Sequence, residues 1–446
     1  MVCFFYLWTL LSINNSVEMK LKLFLTALMV VFLGNVFAEQ KVKTGFGFGA
    51  LPAISYDSDL GFQYGALVNL YQYGDGSRYP KYDHSLYMEY SRYTKGTGIN
   101  RIMYDSDKLI KGIRTTFDLT YLTDQMADFY GFNGYQSVYD AGLSTSFRQF
   151  YKFERNMFLA KADFQGSFQG SGFGWVAGYS FYHFAIDSVD IDKLGLAPVA
   201  GGGLYQRYVD KGLIASDEAN GGMLNYFKAG VKYDTRDQLQ CPMKGVWTEA
   251  VIQSAPAGLN DMPHTKFALI HRQYFTLMKD MSLAYRVDYQ TTLGKSRVPF
   301  YAQPLMITSF LTAASYQGMG GKNSLRGVLR NRVVGDAVAF GNFEFRYKFL
   351  RFNAFNQNFY LGTNIFFDSG IILQPIDIEA SLATLSAGEK SHLMLDQYES
   401  GKFHSSAGMG LKIGWNENFV ISADFGKAFN KQDGQSGFYI GLNYLF

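Results

Sequence analysis

The chain ends in the stretch FYIGLNYLF, residues 438–446, in which two kinds of position alternate. Every second residue from Phe438 to Phe446 is apolar or aromatic, and the intervening residues include Gly441 and Asn443. A period of two is typical of a β-strand that has one apolar face. The sequence therefore predicts that the chain reaches Phe446 inside a strand, with Tyr444 and Phe446 on its apolar face.

The same alternation recurs upstream, in residues 281–289, 343–349 and 419–425. It fits either a soluble β-sandwich or a membrane barrel, because both have strands with one apolar face. Three features favour the barrel. The segments run about 9–12 residues, which is the length that a tilted strand needs to cross a bilayer. Phe and Tyr gather near segment ends, as in the aromatic girdles of outer-membrane barrels. The final strand has no soluble tail after it.

The composition agrees with a sheet that has one apolar and one polar face. Aromatic residues make up 17% of the 446 residues, with 47 Gly and 9 Pro, and the mean hydropathy is −0.07. After Ala38, no window approaches the roughly 18 consecutive apolar residues of a spanning helix. The net charge of +3 and the absence of a basic cluster argue against a nucleic-acid partner.

The alternating segments predict a sixteen-stranded antiparallel transmembrane β-barrel. Single-chain barrels have an even strand count, short periplasmic turns and long outer loops. The long connections here follow predicted strands five, seven, eleven and thirteen, all odd, and lie near 122–147, 188–221, 292–337 and 370–400. This parity is what a barrel shows when its first strand rises from the periplasm.

The N-terminus predicts an export signal over residues 1–38. Residues 19–22 are short and basic, residues 23–33 are apolar, and residues 36–38 form a small-residue cleavage site before Glu39. Met19 is the expected true start, with residues 1–18 belonging to an upstream start, and residues 39–446 form a single barrel domain. The alternative is an anchor helix, since residues 4–12 are also apolar.

Enzymatic motifs are absent from the sequence. The six histidines form no paired metal spacing, and no G-x-S-x-G elbow occurs. Cleavage of the signal would remove Cys3 and leave Cys241 alone, so no internal disulfide is expected. We therefore expect no catalytic activity, no metal and no cofactor.

One long loop and the strands after it carry a recognisable pattern. The loop reads GMGGKNSLRGVLRNRVVGD (318–336), the next strand GNFEFRYKF (341–349), and the strand after that NIFFDSG (364–370). Alternation places Glu344 and Asp368 on the lumen faces of neighbouring strands. Arg326 could serve both, because a guanidinium has five donors in a rigid fork. The alternative is that Arg326 is an ordinary loop residue and that the two acids merely line the lumen.

This set of motifs resembles the BamA/TamA-type outer-membrane assembly barrels, also called the bacterial surface antigen family, over essentially the whole mature barrel. In that family a long loop folds into the lumen and carries an arginine-glycine signature followed by an aromatic residue. The matching positions are Arg326 and Gly327, but Val328 stands where Phe or Tyr is usual. The family's following strands carry an N-x-E-x-R pattern and an aspartate before Gly, which match Glu344 and Asp368.

Two further segments match the family. Residues 233–245, YDTRDQLQCPMKG, look like the turn between strands eight and nine, with Asp234, Arg236 and Asp237 as its motif residues. The C-terminal strand matches the assembly signal of such barrels, with Tyr444 and Phe446 at its end. The best-known members also have periplasmic repeats. Because the first strand begins near Lys43, this chain resembles the subgroup that lacks N-terminal domains.

The first strand has an unusual pattern, in which three glycines, Gly45, Gly47 and Gly49, alternate with phenylalanines. Glycine weakens a strand, so a seam between this strand and the last one would be weak. In the family that seam is the presumed lateral gate. An alternative interpretation is that the glycines make room for the inward loop.

The resemblance implies a function in the assembly, insertion or translocation of proteins at the outer membrane, with lipid as a second candidate cargo. The implied partners are outer-membrane lipid and other outer-membrane proteins, as clients or as subunits of a complex. Two alternatives stay open. One is a passive porin-like channel, and the other is a structural subunit of an outer-membrane complex.

Overall fold

The computed structural model describes residues 44–79, 81–168, 171–238, 241–309, 317–354, 357–395, 401–415 and 419–446. Strands dominate these residues and all belong to one sheet. The strands of the first half are β1 Phe46–Pro52, β2 Ser55–Asp57, β3 Gly61–Gln72, β4 His84–Tyr93, β5 Thr97–Ile110, β6 Ile113–Asp128, β7 Lys152–Ser167, β8 Phe173–Asp187 and β9 Gly221–Asp234. Those of the second half are β10 Gly245–Ala255, β11 His264–Met278, β12 Met281–Leu293, β13 Ala337–Ala354, β14 Gln357–Gln374, β15 His404–Trp415, β16 Phe419–Ala428 and β17 Ser436–Leu442.

These segments close into a sixteen-stranded antiparallel barrel, as predicted. Each strand pairs with its neighbours in sequence, and the first barrel strand is divided into β1 and β2. β1 pairs with β3 from Phe46 opposite Gln72 to Pro52 opposite Ala66. β2 pairs with β3 on one side and with β17 on the other, which closes the barrel.

Burial follows the alternation along each strand. In β13 the side chain of Glu344 is fully buried, whereas its neighbour Phe343 is 47% exposed. In β14 Asp368 is fully buried and Phe367 is 44% exposed. A period-two strand in a closed barrel places one set of side chains in the lumen and the other against lipid. The predicted faces of these strands are confirmed.

The connections differ between the two ends of the barrel. The long ones cover residues 129–151, 188–220, 294–336 and 375–403, and they all lie at one end. Their described residues form five short helices: α1 Ala141–Ser146, α2 Ile191–Leu194, α3 Leu204–Asp210, α4 Glu379–Ala383 and α5 Ala387–His392. The turns at the opposite end are shorter, as 111–112 and 279–280 illustrate. Several boundaries differ by a few residues from those expected, because strands such as β6 keep pairing with their neighbours beyond the expected end, here to Asp128 opposite Lys152.

A large apolar cluster lies at the outer end, where side chains from several long connections meet. Its ring contacts include Phe129 edge-on to Tyr208, with centroids 5.2 Å apart, and Phe153 stacked on Tyr205 at 5.5 Å. Because these residues are buried, the outer loops form a packed cap over the barrel mouth.

The prediction that the last strand continues to Phe446 is wrong. β17 ends at Leu442, and Asn443 adopts a left-handed conformation, with φ 66°. That turn directs Tyr444 away from the lipid-facing side, and its side chain is 7% exposed. Arg346 Nη2 donates to the carbonyl oxygen of Phe446 at 2.9 Å. The polar lumen side chains therefore draw the terminal residues inwards, and Tyr444 and Phe446 do not continue the apolar face.

The predicted export signal, residues 1–38, lies outside the described residues. Among the residues that the structure describes, no helix has the length and apolar character needed to cross a membrane.

Candidate functional site

The loop between β12 and β13 enters the lumen. Met319 and Val333 exchange two backbone hydrogen bonds, of 3.0 and 3.1 Å, which close residues 319–333 into a compact lobe. We call residues 318–334 the lumen lobe. Leu325, Arg326 and Val328 within it are at most 1% exposed. The lobe therefore packs against the barrel wall on its inner side.

Arg326 is held by both of the carboxylates that the sequence indicated. Its Nε and Nη2 donate to Asp368 Oδ2 and Oδ1 at 2.9 and 3.0 Å, and its Nη1 donates to Glu344 Oε1 at 2.6 Å. The Arg326 backbone N–H also donates to Asp368 Oδ2, at 3.0 Å. One guanidinium thus bridges two adjacent strands, which a single point charge could not do with the same geometry.

An aromatic ring completes the environment of Arg326. The guanidinium carbon lies 3.5 Å from the centroid of the Phe366 ring, which is also buried. Burial alone would lower the pKa of Arg326, but the nearby carboxylates of Asp368 and Glu344 more than offset it and hold that pKa above its ordinary value. Arg326 is therefore a permanent cation inside the lumen.

Two more residues of the N-x-E-x-R pattern donate hydrogen bonds to the carboxylates that hold Arg326. Asn342 Nδ2 donates to Asp368 Oδ1 at 2.8 Å. Arg346 Nε donates to Glu344 Oε2 at 2.7 Å. The strand pattern and the lobe arginine thus form one hydrogen-bonded network. Buried networks in which every charge is partnered fix one arrangement of their elements.

Position 327 requires a glycine, because the lobe backbone there touches the backbone of β16. Its φ is 95°, and a Cβ there would lie 2.5 Å from the carbonyl carbon of Gly426. A Cβ at Gly426 would in turn lie 2.4 Å from the Arg326 carbonyl oxygen. The two backbones therefore touch without intervening side chains. Val328, which replaces the usual aromatic residue, is buried in an apolar cluster with Met319 and Leu325.

The turn motif lies between β9 and β10, which are barrel strands eight and nine. Arg236 Nη2 pairs with Asp234 Oδ2 at 2.7 Å, and its guanidinium carbon lies 3.8 Å from the centroid of the Trp247 ring. Asp237 Oδ1 accepts from the backbone N–H groups of Met243 and Lys244, at 3.0 and 3.3 Å. The turn lies at the periplasmic end, and these contacts of its motif residues are made within the turn and with the start of β10.

The seam between the first and last barrel strands is short. β17 pairs with β2 at only two positions, Tyr439 opposite Asp57 and Ile440 opposite Tyr56. Beyond them, Ser58 N–H donates to the Phe438 carbonyl oxygen at 3.1 Å. All of these contacts lie at the outer end. Within the described residues, β1 pairs with β3 alone.

Gly47 and Gly49 lie in β1, and Gly45 directly precedes it. Among the described residues, a Cβ at Gly45 or Gly49 would meet nothing within 4 Å, and one at Gly47 would meet the Tyr73 ring at 2.8 Å. None of these contacts involves the lumen lobe. These contacts give no support to the interpretation that the glycines make room for the inward loop.

The lumen lobe touches both sides of the seam, which the sequence did not indicate. Gly327 N–H donates to the Tyr439 hydroxyl of β17 at 3.1 Å, and Lys322 Nζ lies 3.5 Å from Asp57 Oδ2 of β2. The Tyr439 side chain folds over Gly437 and so directs its hydroxyl inwards. A Cβ at Gly437 would lie 2.1 Å from the hydroxyl oxygen.

Two further lobe arginines tie the lobe to the outer end of the barrel. Arg330 Nε donates to Asp128 Oδ2, at the end of β6, at 2.6 Å. Arg332 donates to three backbone carbonyls, those of Gly134, Ser137 and Gln432. The sequence carried a signal for them, since LRGVLRNR repeats arginine at close spacing, but their partners lie far away in the chain. Among the described residues, no group of three or more His, Cys, Asp or Glu side chains could hold a metal ion.

A closed sixteen-stranded barrel with a lipid-facing apolar surface and a loop anchored in its lumen defines a class of outer-membrane protein. The Omp85 superfamily domain model matches residues 201–446, which is more than half of the chain. The chain belongs to the Omp85 superfamily and is an outer-membrane protein.

Two solved structures share the fold. BamA from Haemophilus ducreyi lacking POTRA domains 1–3 superposes with a TM-score of 0.54 and 14% identity, over 90% of this chain and 70% of that one. CdiB from Escherichia coli gives a TM-score of 0.50 and 8% identity, over 91% of this chain and 64% of that one. No curated protein sequence matches the chain.

Proposed function

We propose that this barrel inserts or translocates proteins at the outer membrane by opening its seam. The observation that carries the proposal is the pairing of β2 with β17 at two residue pairs. Other neighbouring strands pair over far longer stretches, such as β13 with β14 from Ala337 to Ala354. Since each ladder hydrogen bond adds to the work of separating two strands, the seam is the weakest line in the wall.

β1, the periplasmic half of the first barrel strand, offers an edge to an incoming strand. An edge strand presents unpaired N–H and C=O groups that another extended segment can pair with. The side chains of Phe46 and Phe48 on β1 are 71% and 64% exposed. A client strand could therefore add to β1 by backbone hydrogen bonds while its apolar side chains meet lipid.

The filled lumen supports this function over passive diffusion. The lumen lobe is anchored to β13 and β14 through Arg326, to the end of β6 through Arg330, and to the outer loops through Arg332. A barrel of this size leaves an aqueous channel only if nothing fills it. Membership of the Omp85 superfamily and the motif-level resemblance to assembly barrels point in the same direction. The partners in this proposal are outer-membrane proteins, as clients or as subunits of a complex.

Depletion of the protein from its native cells tests the proposal. Quantitative proteomics of isolated outer membranes should show a selective fall in a set of β-barrel or surface-exposed proteins, while inner-membrane proteins keep their levels. Re-expression of the wild-type chain should restore that set. An unchanged outer-membrane proteome after complete depletion would contradict the proposal.

A further inference from the structure

Arg92 lies on the outer, lipid-facing surface of the barrel. Its neighbours Ser91 and Tyr93 are buried towards the lumen, whereas Tyr90, on the same face as Arg92, is 62% exposed. The Arg92 guanidinium carbon lies 4.2 Å from the centroid of the Tyr90 ring. A cation on the lipid face is costly at the bilayer midplane and far less costly near the interface. Such a residue therefore calls for an anionic partner or an interfacial position.

The local backbone fixes the direction in which Arg92 points. A Cβ at Gly98 on β5 would lie 3.0 Å from both Cδ and Cζ of Arg92, so the side chain lies flat across a glycine. Its Nη1 donates to the Ser91 carbonyl at 2.8 Å, and its Nη2 donates to Asn100 Oδ1 at 3.2 Å. The guanidinium is thus held against the wall. Among the described residues, no carboxylate forms an ion pair with Arg92.

A groove of about 470 Å³ lies beside this guanidinium. Arg92 is not one of its lining residues, but Tyr90 and Asn100, which both contact Arg92, are. The rest of the lining is mostly apolar, with one acid and one base among it: Ala66, Val68, Met88, Glu89, Arg101, Ile102, Leu119, Thr120, Tyr121 and Phe158. A fixed cation beside a mostly apolar groove matches an amphiphile that has an anionic head and a hydrocarbon tail.

The position along the barrel assigns the groove to the outer leaflet. Arg92 precedes the last residue of β4, whose following turn, 94–96, lies at the same end as the long outer loops. Lys95 in that turn donates to the Ser58 carbonyl oxygen at 2.5 Å and adds a second positive charge at this rim. Ser58 belongs to the seam contact, so the groove lies close to the seam on its first-strand side.

We propose that this groove binds one anionic, phosphate-bearing lipid of the outer leaflet, with the phosphate on Arg92 and an acyl chain in the groove. Arginine suits the phosphate because a guanidinium has five N–H donors, and the hydrogen bonds of Arg92 to Ser91, Ile99 and Asn100 leave two of them for phosphate oxygens. Small side chains at Ala66 and Val68 leave space for the chain, and the rings of Tyr121 and Phe158 bound it. The site is separate from the lumen network and does not depend on the seam function.

Native mass spectrometry of the purified full-length protein tests this site. We expect the wild type to retain one dioleoylphosphatidylglycerol per barrel and to bind dioleoylglycerol, which has the same tails without phosphate, far more weakly. Arg92→Gln should weaken phosphatidylglycerol binding about tenfold, the effect of losing a hydrogen bond to a charged group. Arg92→Lys should retain part of the binding, because it keeps the charge but loses the fork.

Two more variants separate the groove from a general charge effect. Ala66→Phe fills the groove while Arg92 stays intact, and it should also weaken binding. Lys111→Gln removes an exposed charge from the opposite end and should bind as the wild type does. The heat-dependent gel shift of each variant confirms that the barrel is folded. Wild-type binding by Arg92→Gln, equal binding of dioleoylglycerol, or displacement of the lipid by inorganic phosphate at equal concentration would each overturn the proposal.

Discussion

Arg326 brings a permanent positive charge into a part of the lumen where Glu344 and Asp368 are fully buried. Removing one partner of a buried charge network typically costs roughly 3–5 kcal/mol. We expect Arg326→Ala to cost about 3 kcal/mol, the low end, because Asn342 and Arg346 still donate to the two carboxylates. The loss should appear as a lower temperature of the heat-dependent gel shift and as faster proteolysis within residues 294–336.

A matched control lies in the same loop. Lys295 is an exposed outer-loop cation that forms no ion pair among the described residues, so Lys295→Ala should change the midpoint little. Arg326→Lys should recover only part of the loss, since an ammonium cannot bridge two carboxylates as a guanidinium does. Equal midpoints for Arg326→Ala and wild type, with equal protease protection, would contradict the anchoring role of Arg326.

The Tyr439 hydroxyl links the last strand to the lumen lobe through Gly327. Tyr439→Phe removes that hydroxyl and keeps the ring over Gly437, so the loss should be that of one hydrogen bond, about 1 kcal/mol. Hydrogen exchange should accelerate in residues 436–442 and 325–329. The control is Tyr56→Phe, which removes a hydroxyl from a ring that lies across the seam and faces lipid. Unchanged exchange in Tyr439→Phe would show that the lobe and the seam are not coupled here.

At the scale of elements, the turn between β2 and β3 makes the closing contact of the barrel and carries an unusual carboxyl group. Burial, followed by the charges of Asp57 and Asp128, raises the pKa of Asp59 to about 7. Its Oδ2 is shielded from solvent and has no hydrogen-bond partner among the described residues. The charged and titratable groups facing it from the neighbouring elements are Asp57, Asp128, Arg330, Lys152, Tyr130 and Tyr439.

The outer end of the seam should therefore respond to pH. A carboxyl whose folded pKa lies above its unfolded value of 3.8 favours the closed state when protonated. That stability is lost as the pH rises from about 4 to about 7. Hydrogen exchange in residues 55–60, corrected for its intrinsic pH dependence, should accelerate over this range. Asp59→Asn should abolish the dependence and Asp261→Asn, an exposed control, should keep it. A persistent dependence in Asp59→Asn would contradict the assignment.

The alternating pattern was sufficient to predict which strand residues face the lumen. Glu344 and Asp368 could be placed beside an inward arginine because a period of two fixes the faces once the apolar face meets lipid. The bend at Asn443 could not be predicted, since a single positive φ leaves the residue pattern unchanged. The contact of Tyr439 with the lobe could not be predicted either, because it depends on a side chain that folds over Gly437 towards a distant loop.

At the scale of the whole molecule, the lumen lobe and the outer apolar cap distinguish this barrel from an open pore. We expect small and irregular conductance in planar bilayers, because the lobe occupies the space that ions would cross. Arg326→Ala should raise the conductance by releasing the lobe, and Lys295→Ala should not. Large and steady steps from the wild-type protein would make a porin-like channel the better description.

The opening of the seam is tested most directly by locking it. Tyr56→Cys with Ile440→Cys places a disulfide across the seam at an observed register pair. Phe425→Cys with Phe438→Cys joins the last strand to its other neighbour and is the matched control. Both pairs belong in a Cys241→Ser background, in proteoliposomes that receive an unfolded outer-membrane barrel. We expect the seam disulfide to block insertion until it is reduced, while the control pair inserts normally throughout. Insertion at the wild-type rate through the oxidised seam would contradict a function that depends on opening it.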